Sequence, residues 1–165
     1  MTDDDTTYMA RAIALALDAE RQGNLPIGAL ITFDGAVIAE AGNAILVPVY
    51  HPGRHAEMEA LRQVPLALWS HSRAMTCYTT LEPCMMCFGA LLLHGLGRIV
   101  FGATDPAGGA TAVLGHLPAY YAGGGGVPAW VGPVASDTCA ALYTRAAARF
   151  EQLPVVGRGE RERHP

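Results

Sequence analysis

The sequence predicts an α/β protein, a three-layer α/β/α sandwich built on a five-stranded mixed sheet. Three observations predict it. The chain opens with an amphipathic helical stretch. Two apolar strands then flank an Asp34-Gly35 dipeptide, a hairpin signal that makes the pair antiparallel. Beyond them, strand-like and helix-like segments alternate, and such alternation implies parallel pairing through right-handed crossovers. The 165 residues, about half of them apolar, are enough for one domain with a single core, 1–165, with loose tails at 1–6 and 154–165.

The elements follow in order. Over 7–21 the apolar residues Met9, Ile13 and Leu17 recur at helical spacing, and Gly23 and Asn24 end the helix. Residues 26–33 read as a buried strand and 36–41 as its hairpin partner. A loop with two prolines leads to a helix over 55–64. A third strand spans 75–81, and Pro83 opens a helix running to 94. That helix is apolar on all sides (Met85, Met86, Phe88, Leu91, Leu92, Leu93), which implies burial against the sheet and against a second subunit. A fourth strand covers 98–101, a short helix 110–117, a glycine turn 123–126, a fifth strand 129–134 and a last helix 138–150.

Composition narrows the function. The formal net charge is −4, and the basic residues are all arginine. Bulk nucleic-acid binding ordinarily needs a basic stripe to neutralise phosphates. No stretch has the length of a membrane span, and the acidic start (Asp3, Asp4, Asp5) is unlike a secretory signal. A reducing, cytoplasmic location is therefore expected, so the spacing of the four cysteines matters more than their even number.

Two short motifs carry chemistry: His55-Ala56-Glu57 and Pro83-Cys84-Met85-Met86-Cys87. One imidazole and two thiolates are a donor set that suits zinc, and three protein ligands leave a tetrahedral ion one open position, as a catalytic zinc requires. Cys84 and Cys87 are three residues apart at a helix start, so they share a face, and the positive end of that helix favours thiolates. Two thiolates and a neutral imidazole cancel the charge of Zn²⁺. That weakens its pull on the protons of water and makes a separate base valuable. Glu57, two residues from the histidine, is placed to take that proton and return it to a leaving amine. Other readings stay open at this level: a redox Cys-x-x-Cys pair, or a closed structural zinc completed by Cys77 or Cys139, both of which otherwise read as core cysteines. His51, His71, His94, His116 and His164 read as surface or loop residues, and Trp130, Tyr120 and Tyr121 as core or rim packing.

H-x-E followed by P-C-x-x-C is the signature of the zinc nucleobase deaminases. The chain resembles the cytidine deaminase superfamily, and within it the branch of bacterial tRNA-specific adenosine deaminases, guanine deaminases and fungal-type cytosine deaminases. The likeness is strongest over Thr80-Leu81-Glu82-Pro83-Cys84-Met85-Met86-Cys87-Phe88-Gly89-Ala90 and Gly97-Arg98-Ile99-Val100-Phe101-Gly102-Ala103, and it recurs at 137–142. It implies a cytidine deaminase-like sheet, a Zn²⁺ cofactor held by His55, Cys84 and Cys87, and hydrolytic release of ammonia with Glu57 as the catalytic residue. It further implies Asn43 and the Ala56 backbone N–H as substrate contacts, and a homodimer or higher homo-oligomer formed through the helix of the cysteine pair.

The departures bear on substrate. His51-Pro52-Gly53-Arg54 replaces the tRNA editors' usual Asp-Pro-Thr-Ala lead into the metal histidine. Thr104, Ala107, Leu93 and Gly95 stand where those relatives carry basic residues or a His and an Arg, and Glu151 and Gln152 follow Arg145 and Arg149 where they tend to have a basic cluster. Lost cations weaken polynucleotide binding. The expected substrate is a small nucleobase or nucleoside. A tRNA is the alternative, and a non-catalytic zinc module is the reading from another class. Pocket-closing groups are expected from the loop between Asn43 and His55 and from the segment after Pro118.

Overall fold

In the computed structural model, which describes residues 2–123 and 126–153, the first helix starts earlier than its apolar spacing predicts. Helix α1 spans Asp3–Arg21, and the loose tail expected at its start is instead a capped terminus. Thr2 accepts a hydrogen bond from the Asp5 backbone, and the Asp5 side chain accepts one from the Thr2 backbone, a capping box. Asp5 is then fully buried. Its Oδ1 accepts from Arg98 Nη1 at 2.7 Å and from the Tyr78 hydroxyl at 2.9 Å, and its Oδ2 accepts from Arg98 Nη2 at 2.9 Å. Acidic residues at a helix start suit the macrodipole, but here one of them also locks the helix to the sheet. The tail expected at 154–165, and residues 124 and 125 of the glycine run, lie outside the described residues.

Strands β1 (Gly28–Phe33) and β2 (Ala36–Gly42) form the antiparallel hairpin. Asp34 and Gly35 both have positive φ, 50° and 72°, as a two-residue turn matching strand twist requires. Helix α2 (Ala56–Leu61) follows, then a 3₁₀ helix over Leu66–Ala74 that the apolar pattern does not announce. Strand β3 (Thr76–Leu81), helix α3 (Met85–Leu93), strand β4 (Arg98–Ala103), a 3₁₀ turn (Ala110–His116), helix α4 (Ala119–Gly123), strand β5 (Ala129–Val131) and helix α5 (Ser136–Glu151) complete the order. β5 stops short of the expected 129–134 because Pro133 has no N–H to continue the ladder. The segment expected as a helix over 110–117 adopts the tighter 3₁₀ form.

The sheet order is β2-β1-β3-β4-β5. β1 is antiparallel to both β2 and β3, while β3, β4 and β5 run parallel. This is the five-stranded mixed sheet of the predicted sandwich. Successive strand residues serve opposite faces. Ile31, Cys77 and Ile99 join Phe88, Leu91 and Leu61 in the core under α2 and α3. Their neighbours Leu30, Tyr78 and Val100 join Met9, Ala12 and Cys139 in the core under α1 and α5. At Gly102 a Cβ would meet the Cys139 sulfur at 2.3 Å, so a side chain there would push α5 off β4. The guanidinium of Arg145 on α5 grips both carboxylate oxygens of Glu20 at 2.7 and 3.0 Å, and Arg149 donates to the Gly23 carbonyl at 2.9 Å. Both arginines thus dock α5 onto the end of α1. No helix among the described residues is long and apolar enough to cross a membrane.

The Asp5–Arg98 pair generates a pH prediction. The guanidinium holds the Asp5 carboxyl well below the usual carboxylate range, against the opposing effect of burial. The folded value is thus depressed relative to an unfolded aspartate, about 3.9. The pair's contribution is therefore complete above about pH 4 and is lost as the pH falls below that, through the native value. Asp5→Asn should cost about 3 kcal/mol in urea melts at pH 7, because it leaves Arg98 without its counter-charge. Below about pH 4 its melts should fall less steeply than those of the unsubstituted chain.

Candidate active site

Two helices begin side by side at the site. His55 is the N-cap of α2 and Cys84 the N-cap of α3, and neither side chain bonds its own helix start. Cys87 lies in the first turn of α3, on the same side as Cys84. The ligand atoms of His55, Cys84 and Cys87 all fall within 4.8 Å of one another, with Cys84 Sγ 3.6 Å from His55 Nδ1. At ligand distances of about 2.3 Å for sulfur and about 2.0 Å for nitrogen, the corners of a tetrahedral zinc lie about 3.5–3.8 Å apart. Donor chemistry and spacing both fit zinc. Among the described residues the cluster consists of these three, so one corner is left for a small molecule. Cys139 packs on the opposite face of the sheet, in the core under α1 and α5, and Cys77 is sealed among apolar side chains. The closed structural site that either would complete does not form.

The electrostatics suit a metal. The Cys84 thiol is brought down to about 4, first by its hydrogen bond with Cys87 and then by His55, while burial opposes. The same bond and burial push Cys87 up. The thiolate form favoured at Cys84 is the form that binds a dication. His55 is lowered by burial but raised overall by Cys84 and the charge of Glu57.

Glu57 lies one residue into α2 and is buried, at 3% exposure. Its Oε2 is 3.5 Å from Cys87 Sγ, and its Oε1 accepts the Thr79 hydroxyl at 3.2 Å. Burial raises its carboxyl above the ordinary glutamate range, with His55 opposing. A carboxylate raised in this way is a stronger proton acceptor than a free glutamate.

His55, Glu57 and Cys84 open onto a cavity of about 450 Å³, a volume that accommodates small ligands. Asn43, from the end of β2, lines it and is 2% exposed. Its Oδ1 accepts the Ile45 backbone N–H at 3.1 Å. Its Nδ2 is the one buried side-chain donor or acceptor without a hydrogen bond among the described residues. An unpaired buried donor in a cavity wall is free to bond a molecule that enters it. Ala56 is fully buried as the first residue of α2, where backbone N–H groups have no partner within the helix.

The other wall comes from α5, through Tyr143, Ala146, Ala147 and Phe150, and from Asp105 after β4. The Tyr143 hydroxyl donates to Asp105 Oδ1 at 3.1 Å. Neither residue stands out in the sequence, because nothing local marks a helix residue as pocket lining. Glu82 is also missed, though it directly precedes the cysteine motif. Its buried carboxylate accepts the backbone N–H groups of Asp105 and Thr111 at 2.9 and 2.8 Å, pinning the loop that carries Asp105. Gly109 follows from this, since a Cβ there would sit 2.3 Å from the Glu82 carboxyl carbon. His51 and His94 line a separate groove with Trp69 and Met58. His71 stacks on Phe33, and His164 lies outside the described residues. Trp130 packs edge-on to Phe88 and does not reach the cavity.

Comparison with known proteins places this geometry. A family model described as the cytidine and deoxycytidylate deaminase zinc-binding region matches residues 2–103. The tRNA-specific adenosine deaminase of Bacillus subtilis (strain 168) is 42% identical over 119 residues, covering 71% of this chain and 72% of the relative. A structure from a study of A-to-I editing by tRNA:A34 deaminases at the wobble position of transfer RNA superposes with a TM-score of 0.65 at 31% identity. It covers 76% of this chain and 96% of its own. The guanine deaminase of Bacillus subtilis superposes with a TM-score of 0.55 at 33% identity, covering 63% of this chain and 66% of its own.

The ligand geometry predicts metal content. The purified chain should carry about one zinc. His55→Ala and Cys87→Ser should each lose most of it, and Glu57→Gln should keep it, as read by elemental analysis after gel filtration.

Proposed function

The chain belongs to the cytidine and deoxycytidylate deaminase zinc-binding family and is a zinc-dependent hydrolytic deaminase, and on that premise we propose that it acts on a free nucleobase, nucleoside or related aminated heterocycle, with Glu57 as its proton carrier. One observation carries the assignment of roles: a buried carboxylate sits beside a three-ligand centre that faces a cavity of ligand size. His55, Cys84 and Cys87 would hold the metal. Zinc with an open position supplies Lewis acidity and makes water a nucleophile near neutral pH. Glu57 would take a proton from the attacking water, whose oxygen bonds to the amino-bearing carbon, and pass it to the neighbouring ring nitrogen. It carries a second proton to the amino group, which departs as ammonia as the ring carbonyl forms. The Asn43 Nδ2 donates to a ring acceptor or a sugar oxygen, and the Ala56 N–H to a ring carbonyl or nitrogen.

A small substrate is supported by the arginines. Each of the eight in the described residues has a partner inside the chain. Six form ion pairs: Arg11–Glu40, Arg21–Asp18, Arg54–Glu59, Arg62–Glu59, Arg98–Asp5 and Arg145–Glu20. Arg73 and Arg149 donate to backbone carbonyls. With a net charge of −4 and no lysine, little positive field remains among the described residues to collect phosphates. The second reading is a tRNA adenosine deaminase, favoured by the 42% identity to the tRNA-specific enzyme of Bacillus subtilis. The family match ends at residue 103, before Asp105 and α5, so the cavity wall that they form lies outside it.

A second copy of the chain completes this reading. Met85, Met86 and Leu93 on α3 are 53%, 41% and 55% exposed, and around Gly89 between them nothing approaches within 4 Å of a Cβ. An apolar stripe of this kind, beside a flat glycine, suits packing of α3 against its copy in a homodimer.

Ammonia release from a panel of bases and nucleosides, run beside deacylated tRNA, separates the two substrates; release from tRNA alone would defeat the small-substrate reading. Glu57→Gln should lower turnover by about a hundred- to ten-thousand-fold with zinc retained. In sedimentation, Met86→Glu together with Leu93→Glu should shift the protein from dimer to monomer.

A further inference from the structure

We propose that Thr79 is a positioning residue that fixes the rotation of the Glu57 carboxylate, leaving one of its two oxygens, Oε2, for proton transfer. This rests on the reading of Glu57 as proton carrier.

Thr79 lies on the central strand β3, paired with Ala29 of β1 on one side and Phe101 of β4 on the other. Its exposure is 0%. By strand alternation its side chain shares a face with Cys77, towards α2 and α3. At such a position valine has the same shape and no polar group. A hydroxyl there needs a partner, since an unpaired one carries a desolvation penalty. The partner is Glu57 Oε1, 3.2 Å away.

The other side-chain contact to the Glu57 carboxylate comes from the Cys87 thiol, which faces Oε2 at 3.5 Å. The Thr79 hydroxyl is the nearer of these two side-chain contacts, 3.2 Å against 3.5 Å. The terminal torsion of a glutamate is soft, with no sharp staggered wells. A β-branched threonine on a doubly paired strand is stiff at χ1. The stiff residue therefore anchors the soft one. With Oε1 tied to the sheet, Oε2 stays on the side of Cys87 and the metal corner. Thr79 does not touch substrate; it acts through Glu57.

The test compares Thr79→Val, Thr79→Ser and Glu57→Gln as full-length, zinc-loaded protein. It measures kcat and KM on the best substrate of the base and nucleoside panel, together with zinc per chain and melting temperature. Thr79→Val should lower kcat by about ten-fold or more, the scale of a lost hydrogen bond to a charged group. Its KM should stay within about two-fold and its zinc content should be unchanged, and Thr79→Ser should restore most of kcat. Should Thr79→Val not fold, Thr79→Ala serves the same comparison. A wild-type kcat in Thr79→Val beside an inactive Glu57→Gln overturns the positioning role alone. Equal losses in the Val and Ser variants also overturn it, because the methyl packing and not the hydroxyl is then at work. Loss of zinc from Thr79→Val overturns it as well. An active Glu57→Gln instead defeats the proton-carrier reading beneath it.

Discussion

The rest of the structure depends on bringing three ligand atoms from two segments, 29 residues apart at their closest, within 4.8 Å. Loose chain cannot do this, because closing that loop and orienting three side chains carries a large entropic cost. The sheet meets that cost beforehand. β3 runs directly into Cys84, and β1 pairs with both β2 and β3, so the loop after β2 delivers His55 close to where α3 begins. Both ligands then stand at helix N-caps, and partial positive charge from the two helix ends converges where thiolates must sit.

The same arrangement divides the cavity into two functionally different halves. One half, from Asn43 to Cys87, is made of residues tied to the central strands and the starts of α2 and α3. Glu57 and Asn43 there are buried and held by partners, Glu57 by Thr79 and Asn43 by the Ile45 backbone. The other half is made by the Asp105 loop and α5. Glu82 holds the loop, and Arg145 and Arg149 hold the helix against α1. Family membership accounts for the first half, while the second sits beyond the matched residues. The metal-ligand cluster and the opposite wall of the cavity are thus built from separate stretches of chain.

Much of this was legible before any coordinates. The Asp34-Gly35 turn and the strand–helix alternation led to the right sheet, and His55, Cys84 and Cys87 do meet. The errors have physical causes. Asp3, Asp4 and Asp5 read as a frayed acidic tail because their charge suggests solvent. Asp5 is buried instead, since Arg98, more than ninety residues away in sequence, supplies its counter-charge. The 3₁₀ helix over Leu66–Ala74 was missed because it has no fully buried residue and hence no apolar periodicity to read. Thr79 was passed over because one hydroxyl in an apolar strand looks like a β-branched filler. Its importance comes entirely from Glu57 lying opposite.

By itself the sequence determined the chemistry. Metal ligands and a base beside them must be particular residue types at short, helix-compatible spacings, so a local pattern suffices to bring His55, Glu57, Cys84 and Cys87 forward as candidates. The tertiary structure alone decided which groups surround that chemistry. Asp105, Tyr143 and the inner face of α5 reach the cavity through long-range packing against β4 and α1. Those contacts depend on the shape of distant partners and not on any spacing along the chain. Local physics is written in neighbouring residues, and the walls of a pocket are written in pairs that only folding brings together.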